Sequence, residues 1–174
     1  MPLQKVAMGL VIVVIEADMG GFDALPDVLG WVLVIAGVLD LRTVLAGFGT
    51  LLTLAALSAA VSAALLWPGL ADSFTESTGW LLSLPQLAFS IALCGSVAAV
   101  VPTIESAVAR TFSRMRWVFG ALALAPAVLY GGEVDALLAP LAFVTVAANV
   151  FLIVTLFRIS KRPYALGPSR VSAD

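Results

Sequence analysis

The sequence contains no histidine, a single cysteine and few charged side chains. Without histidine, the chain lacks the commonest zinc ligand, the usual haem ligand and the most frequent general base near neutral pH. Cys94, the only cysteine, can form neither an intrachain disulfide nor a cysteine metal cluster. We therefore predict no enzyme activity, no catalytic residue, no metal site and no cofactor.

The residues that are present are mostly apolar. Hydrophobic residues make up 61% of the 174 residues, charged residues make up 11%, and the mean hydropathy is +1.10. A water-soluble chain of this size could not bury so much apolar surface, because a small globule leaves much of its area exposed. The composition therefore predicts an integral membrane protein whose main partner is the lipid bilayer, with no nucleic-acid partner.

Six apolar stretches approach the roughly 20 helical residues that are needed to cross a bilayer. They cover residues 3–19, 26–46, 50–70, 80–101, 117–131 and 136–157. The predicted fold class is all-α, a polytopic membrane bundle of six transmembrane helices. One transmembrane helical domain covers residues 1–160, and a cytoplasmic tail covers residues 161–174. Residues 102–116 form the longest connection. Ile104, Val108, Phe112 and Met115 would share one face of a helix there, and an interfacial helix and a plain linker both stay open.

The charged residues orient these spans. When the N-terminus is placed in the cytoplasm and each span changes side, all nine Lys and Arg residues fall on the inner side. Short cytoplasmic loops are enriched in Lys and Arg, so this arrangement obeys the positive-inside rule. Most carboxylates fall in the outer loops. The pattern predicts that both termini are cytoplasmic and that the protein lies, as a multi-pass protein, in a bacterial cytoplasmic membrane.

The turn between the first two spans carries the most distinctive local pattern. Asp23 can cap the second helix, Pro26 suits its first turn, and Asp27 favours the positive end of its dipole. The functional alternative is an acidic mouth in which Glu16, Asp18, Asp23 and Asp27 concentrate cations. Gly30 and Gly37, seven residues apart in the second span, predict close approach of a neighbouring helix.

The same turn, Gly-Phe-Asp-Ala-Leu-Pro-Asp at residues 21–27 with Gly30 following, resembles one found in small bacterial membrane proteins of unassigned function. The resemblance covers about the first quarter of the chain and implies no particular activity. A second Gly-Gly pair at residues 131–132 is likewise followed by Asp-Ala-Leu at residues 135–137. Three parallel hairpin repeats are one interpretation of this similarity, and chance is the other.

Asp40 is the most informative single residue, because a carboxylate within an apolar helix is costly and usually faces a partner or water. Lys5 lies near the same depth. Arg42 is only two residues away and points elsewhere on the helix, so Lys5 is the better partner. The alternatives are a structural Lys5–Asp40 pair and a titrating or cation-binding site.

Polar residues also occur in the fourth and sixth spans, where they either join helices by hydrogen bonds or line a polar path. The candidates for a pathway or an ion-binding site are Glu16, Asp23, Asp27, Asp40, Gln86, Ser90 and Asn149. The functional hypothesis is a small channel or transporter for a cation, a proton or a small solute, assembled as a homo-oligomer. The alternative is an accessory or assembly subunit of a larger membrane complex, packed through small residues of the third span.

Overall fold

A computed structural model of the chain describes residues 2–15, 27–66, 76–100, 106–131 and 137–161. Within these ranges the chain forms six α-helices and no β-strand, which confirms the predicted all-α class for that part of the protein. The helices are α1 (Pro2–Val14), α2 (Asp27–Asp40), α3 (Phe48–Leu65), α4 (Glu76–Val100), α5 (Ser106–Gly131) and α6 (Leu138–Ser160).

Four of these helices, α3 to α6, are long and apolar enough to cross a membrane, so the chain is compatible with an integral membrane protein. The helices α1 and α2 have 13 and 14 residues in the described structure. At 1.5 Å per residue, α2 measures about 21 Å, whereas a bilayer core is about 30 Å thick. Residues 16–26, between them, lie outside the described ranges. Six membrane crossings therefore stay a prediction.

The helices form a closed ring. Each helix packs against its neighbours in sequence, and α1 also packs against α6. Gly9 lies opposite Gly30, and Val6 lies opposite Gly37, so α1 and α2 are antiparallel. Ser96, near the end of α4, bonds to Ala46, just before α3, and Trp80, near the start of α4, bonds to Ala123, in the second half of α5. These contacts show that the helices of each pair are antiparallel, and cavity linings show the same for α2 with α3 and for α5 with α6. Thus α1, α3 and α5 begin at one end of the ring, where α2, α4 and α6 end.

All seven Lys and Arg residues of the described ranges lie in the half of the ring nearest that end, which we call the basic end. They are Lys5, Arg42, Arg110, Arg114, Arg116, Arg158 and Lys161. The other end, which we call the opposite end, has carboxylate residues at the first positions of α2 and α4, Asp27 and Glu76. The charge separation read from the sequence is therefore present along the bundle axis. Which end faces the cytoplasm stays a prediction.

The largest differences between predicted and observed boundaries are at the end of α2 and the start of α5. The helix α2 ends at Asp40, and residues 41–47 form turns in place of the last part of the predicted span 26–46. These turns pack inward through Leu41 and Leu45, which are both buried. Gly47 then adopts a left-handed backbone conformation (φ 74°) just before α3, a conformation that side chains disfavour.

The helix α5 is continuous from Ser106, so residues 106–116 are neither a linker nor a separate interfacial helix. Phe112 and Met115 are buried in the core, which holds this segment in line with the rest of α5. Pro126 lies inside the same helix without ending it. A proline crowds the preceding turn and removes one backbone hydrogen bond. In that turn, the Trp80 indole of α4 donates a hydrogen bond to the Ala123 carbonyl oxygen (3.2 Å).

Candidate functional site

A polar cavity of about 140 Å³ lies between α2, α3 and α4, toward the opposite end of the ring. Its polar and aromatic lining consists of Asp27, Trp31, Ser58, Ser62, Ser83 and Gln86. The residues from each helix are three or four positions apart, a spacing that places them on one helical face. A liquid water occupies about 30 Å³, so the polar cavity has room for roughly four waters or for a partly hydrated cation.

The polar cavity presents oxygen atoms of the kind that bind hard cations. Asp27, the first residue of α2, is half-buried, and the helix dipole favours negative charge at that position. Gln86 of α4 contributes a neutral amide to the same lining. The pair combines one formal negative charge with an uncharged acceptor, which suits a monovalent cation or a protonated water.

The serine hydroxyls add acceptors rather than donors. Ser83 Oγ donates to the Trp80 carbonyl oxygen (2.7 Å), and Ser58 Oγ donates to the Leu54 carbonyl oxygen (2.9 Å). A hydroxyl has one proton and two lone pairs, so each of these groups has used its proton within its own helix. Their remaining lone pairs are available to a cation or to water.

Trp31 lines the polar cavity, and the Phe89 ring packs against Trp31. Trp31 lies one turn after Asp27, and Phe89 lies about one turn after Gln86. The rings meet edge to face, with centroids 5.4 Å apart and planes at 87°. Both side chains are buried, and the contact joins α2 directly to α4. An aromatic pair therefore lies beside the polar cavity, on the side toward the basic end.

Ser90 and Asn149 lie outside the polar cavity. Ser90 Oγ donates to the Gln86 carbonyl oxygen (3.1 Å), and Asn149 Nδ2 donates to the Thr145 carbonyl oxygen (2.9 Å). Both residues are buried, and each of these bonds stays within its own helix. The structure therefore does not bring these two candidates together with Asp27.

Asp40 is also remote from the polar cavity. It is the last residue of α2, and Asp27 is the first, so about 20 Å of helix separates them. Lys5 Nζ donates to Asp40 Oδ2 at 2.7 Å, and both side chains are nearly half exposed. The carboxylate thus lies at a helix end, paired with a base of α1, rather than inside an apolar helix.

Glu16 and Asp23 lie outside the described residues, as do residues 21–26 of the turn. Among the residues that are described, no group of three Asp, Glu or Cys side chains is placed to hold a metal ion.

Two aromatic residues are missing from the sequence-based candidates: Trp31, which lines the polar cavity, and Phe89, which packs against Trp31. Trp31 is 1% exposed, and sequence reasoning places tryptophans at membrane interfaces rather than in a bundle core. Its position four residues after Asp27 was the available signal, since that spacing puts both on one face. Phe89 carries no such signal, because phenylalanine is common throughout apolar helices.

Comparison with models of known protein families, with curated proteins and with solved structures finds no match to this chain. Its function is therefore inferred from the polar cavity and from the distribution of charge.

Proposed function

We propose that the protein is a multi-pass protein of a bacterial cytoplasmic membrane, with its basic end in the cytoplasm, and that it is a small channel or transporter for a monovalent cation or a proton. The observation that carries this proposal is that Asp27 and Gln86 line one polar cavity between α2, α3 and α4. Carboxylates that line cavities between membrane helices often mark ion pathways.

In the proposed mechanism, a cation enters from the opposite end of the ring. Asp27 supplies the negative charge, and the Gln86 amide and Ser83 hydroxyl replace part of the hydration shell. The contact between Trp31 and Phe89 excludes water from the next part of the path, as hydrophobic constrictions do in channels. Passage toward the basic end requires these two rings to separate. Assembly of several copies would provide a wider path than one six-helix ring.

Cation flux into liposomes tests this proposal. Purified protein is reconstituted, a Na⁺, K⁺ or proton gradient is imposed, and uptake is followed with an ion-sensitive dye. We expect flux above that of empty liposomes and its loss in Asp27→Asn. The matched control is Asp40→Asn, the same chemical change in an exposed ion pair at the other end of α2, and we expect it to retain flux. Equal flux with and without protein rejects transport.

Cation binding provides a second test that does not depend on flux. A cation that binds the folded state alone raises the unfolding temperature as its concentration increases. We expect this rise for the wild type and for Asp40→Asn, but not for Asp27→Asn. If cations still raise the unfolding temperature of Asp27→Asn, the cation-binding site lies elsewhere, and the proposed role of the polar cavity is contradicted.

A second candidate function is that of an accessory subunit of a larger membrane complex. The observation in its favour is that α3 is the least buried of the four membrane-length helices. Its outer face includes the small residues Ala56, Ala60 and Ala64, which are all exposed, and small residues permit close helix contact in membranes. A homo-oligomer would use the same face.

Purification in mild detergent distinguishes these roles. An accessory subunit is expected to copurify with a partner in fixed stoichiometry, and Ala60→Leu should abolish that association. Val146→Leu, at an exposed position of α6, is the control that should leave it intact. A protein that purifies without a partner and conducts cations is not an accessory subunit.

A further inference from the structure

A long groove separates α5 from α6. A cavity of about 460 Å³ lies between these helices toward the basic end, and another of about 510 Å³ lies between them toward the opposite end. Val144 lines both cavities, so they adjoin, and we call the combined space the α5–α6 groove. From Thr111 to Leu129 it spans about 27 Å along α5, close to the thickness of a bilayer core.

The walls of the α5–α6 groove are apolar along nearly all of this length. Toward the basic end they include Val118, Phe119, Ala147 and Phe151. The exception is at the basic end, where Thr111 and Arg114 line the groove and the Arg114 side chain is exposed. The shape and chemistry are those of an apolar slot that ends at one guanidinium group.

The structure shows no carboxylate bound to Arg114 in the described part of the chain. Arg110, which is also exposed, lies one turn earlier on α5 and adds a second positive charge nearby. A guanidinium group binds phosphate oxygens in pairs, and basic pockets between membrane helices attract anionic headgroups.

We propose that the α5–α6 groove binds one anionic phospholipid, with an acyl chain along Val118, Ala147 and Phe151 and the phosphate at Arg114. This inference does not depend on the proposed transport function. A second copy of the chain is the less suitable occupant, because it would bring further bases to the same level. Asp40, the described carboxylate at the basic end, is already paired with Lys5.

Lipid titration of the delipidated protein in detergent tests this proposal. Binding is measured by native mass spectrometry and by the unfolding temperature, with phosphatidylglycerol compared against phosphatidylcholine of the same acyl chains. We expect phosphatidylglycerol to bind in preference. Arg114→Gln should weaken its binding roughly tenfold, since charge-assisted bonds to phosphate are lost. Arg114→Lys keeps the charge without the paired geometry and should retain part of the affinity.

Two further variants separate charge from shape. Arg42→Gln removes an exposed charge from the turn between α2 and α3, across the ring from the groove, and should leave binding unchanged. Ala147→Phe fills the groove without changing any charge and should also weaken binding. Equal binding of both lipids, equal loss in Arg42→Gln and Arg114→Gln, or full binding by Ala147→Phe would each overturn the proposal. Dimerisation that Ala147→Phe abolishes would show a second copy in the groove and would overturn it too.

Discussion

Gly9 of α1 and Gly30 of α2 face each other so closely that neither position has room for a side chain. A Cβ atom on Gly9 would lie 2.5 Å from the Gly30 carbonyl oxygen, and one on Gly30 would lie 2.7 Å from the Gly9 carbonyl oxygen. The two helices therefore pack backbone against backbone. Within a bilayer such close contact matters, because dispersion forces rather than the hydrophobic effect hold helices together.

This contact predicts a steric effect of a single methyl group. Gly9→Ala should destabilise the protein by about 1–3 kcal/mol, because α1 and α2 must separate to admit it. Gly120→Ala in α5 is the matched control, since a Cβ there would meet nothing within 4 Å. Denaturant unfolding in detergent micelles measures both, and equal stability of the two variants would contradict the role of the contact.

The positions of Lys5 and Asp40 at their helix ends predict that exchanging the two residues does not destabilise the protein. Lys5 lies near the positive end of the α1 dipole, and Asp40 lies at the negative end of the α2 dipole, so both helix ends disfavour the charge they hold. Exchanging the residues keeps the pair and reverses both dipole effects, each of which contributes about 0.3–1 kcal/mol. We expect Lys5→Asp combined with Asp40→Lys to be at least as stable as the wild type.

Single substitutions of Lys5 and of Asp40, compared with the double substitution, measure the interaction energy between the two side chains. Both side chains are nearly half exposed, so the interaction itself should contribute only about 0.2–1 kcal/mol, decreasing with added salt. A double-mutant cycle with Lys5→Gln and Asp40→Asn measures that energy. A coupling of several kcal/mol would mean that the pair is shielded from solvent, contrary to its observed exposure.

The Trp80 indole predicts a contribution of α4 to the stability of α5. Trp80→Phe removes the hydrogen bond to the Ala123 carbonyl oxygen and should cost about 0.5–1.5 kcal/mol. Trp117→Phe is the control, because the Trp117 side chain is 79% exposed. The free energies of unfolding of the two variants should differ by roughly that energy. An equal loss of stability in both variants would indicate that the smaller ring area, and not the hydrogen bond, is the cause.

The contact between the Trp31 and Phe89 rings predicts an effect on the rate of cation flux. Phe89→Leu removes the edge-to-face contact with Trp31 and should cost about 1 kcal/mol of stability. If these rings separate during passage, the variant should conduct cations faster than the wild type in the liposome assay. Phe143→Leu, at a side chain 75% exposed on α6, should not. Unchanged flux in Phe89→Leu would show that the path, if any, avoids these rings.

Cysteine labelling tests the predicted membrane orientation. In a Cys94→Ala background, Arg42→Cys and Arg114→Cys should react with an impermeant reagent only from the cytoplasmic side. Glu76→Cys, at the first residue of α4, should react only from outside. Reaction of Arg114→Cys and Glu76→Cys from the same side would contradict the six-span arrangement.

Local sequence patterns predicted several interactions across helices that the structure contains. Gly30 and Gly37 indicated a close neighbour for α2, and α1 lies there. In residues 102–116, Phe112 and Met115 indicated one apolar face, and both are buried. These features depend on local spacing, which a sequence states directly. The continuity of α5 through Arg116 was not predictable, since a cluster of bases is compatible with a helix, a turn or an interfacial segment.

The apolar composition and the positions of the charged residues by themselves determined that this chain forms helices suited to a membrane, with its bases gathered toward one end. Only the tertiary structure decided which polar residues meet. An apolar helix presents similar side chains on every face, so its sequence does not specify which face turns inward. Packing of α2, α3 and α4 brings Asp27 to Gln86 and leaves Ser90 and Asn149 bonded to their own helices, because close contact between backbones and rings sets how each helix is rotated.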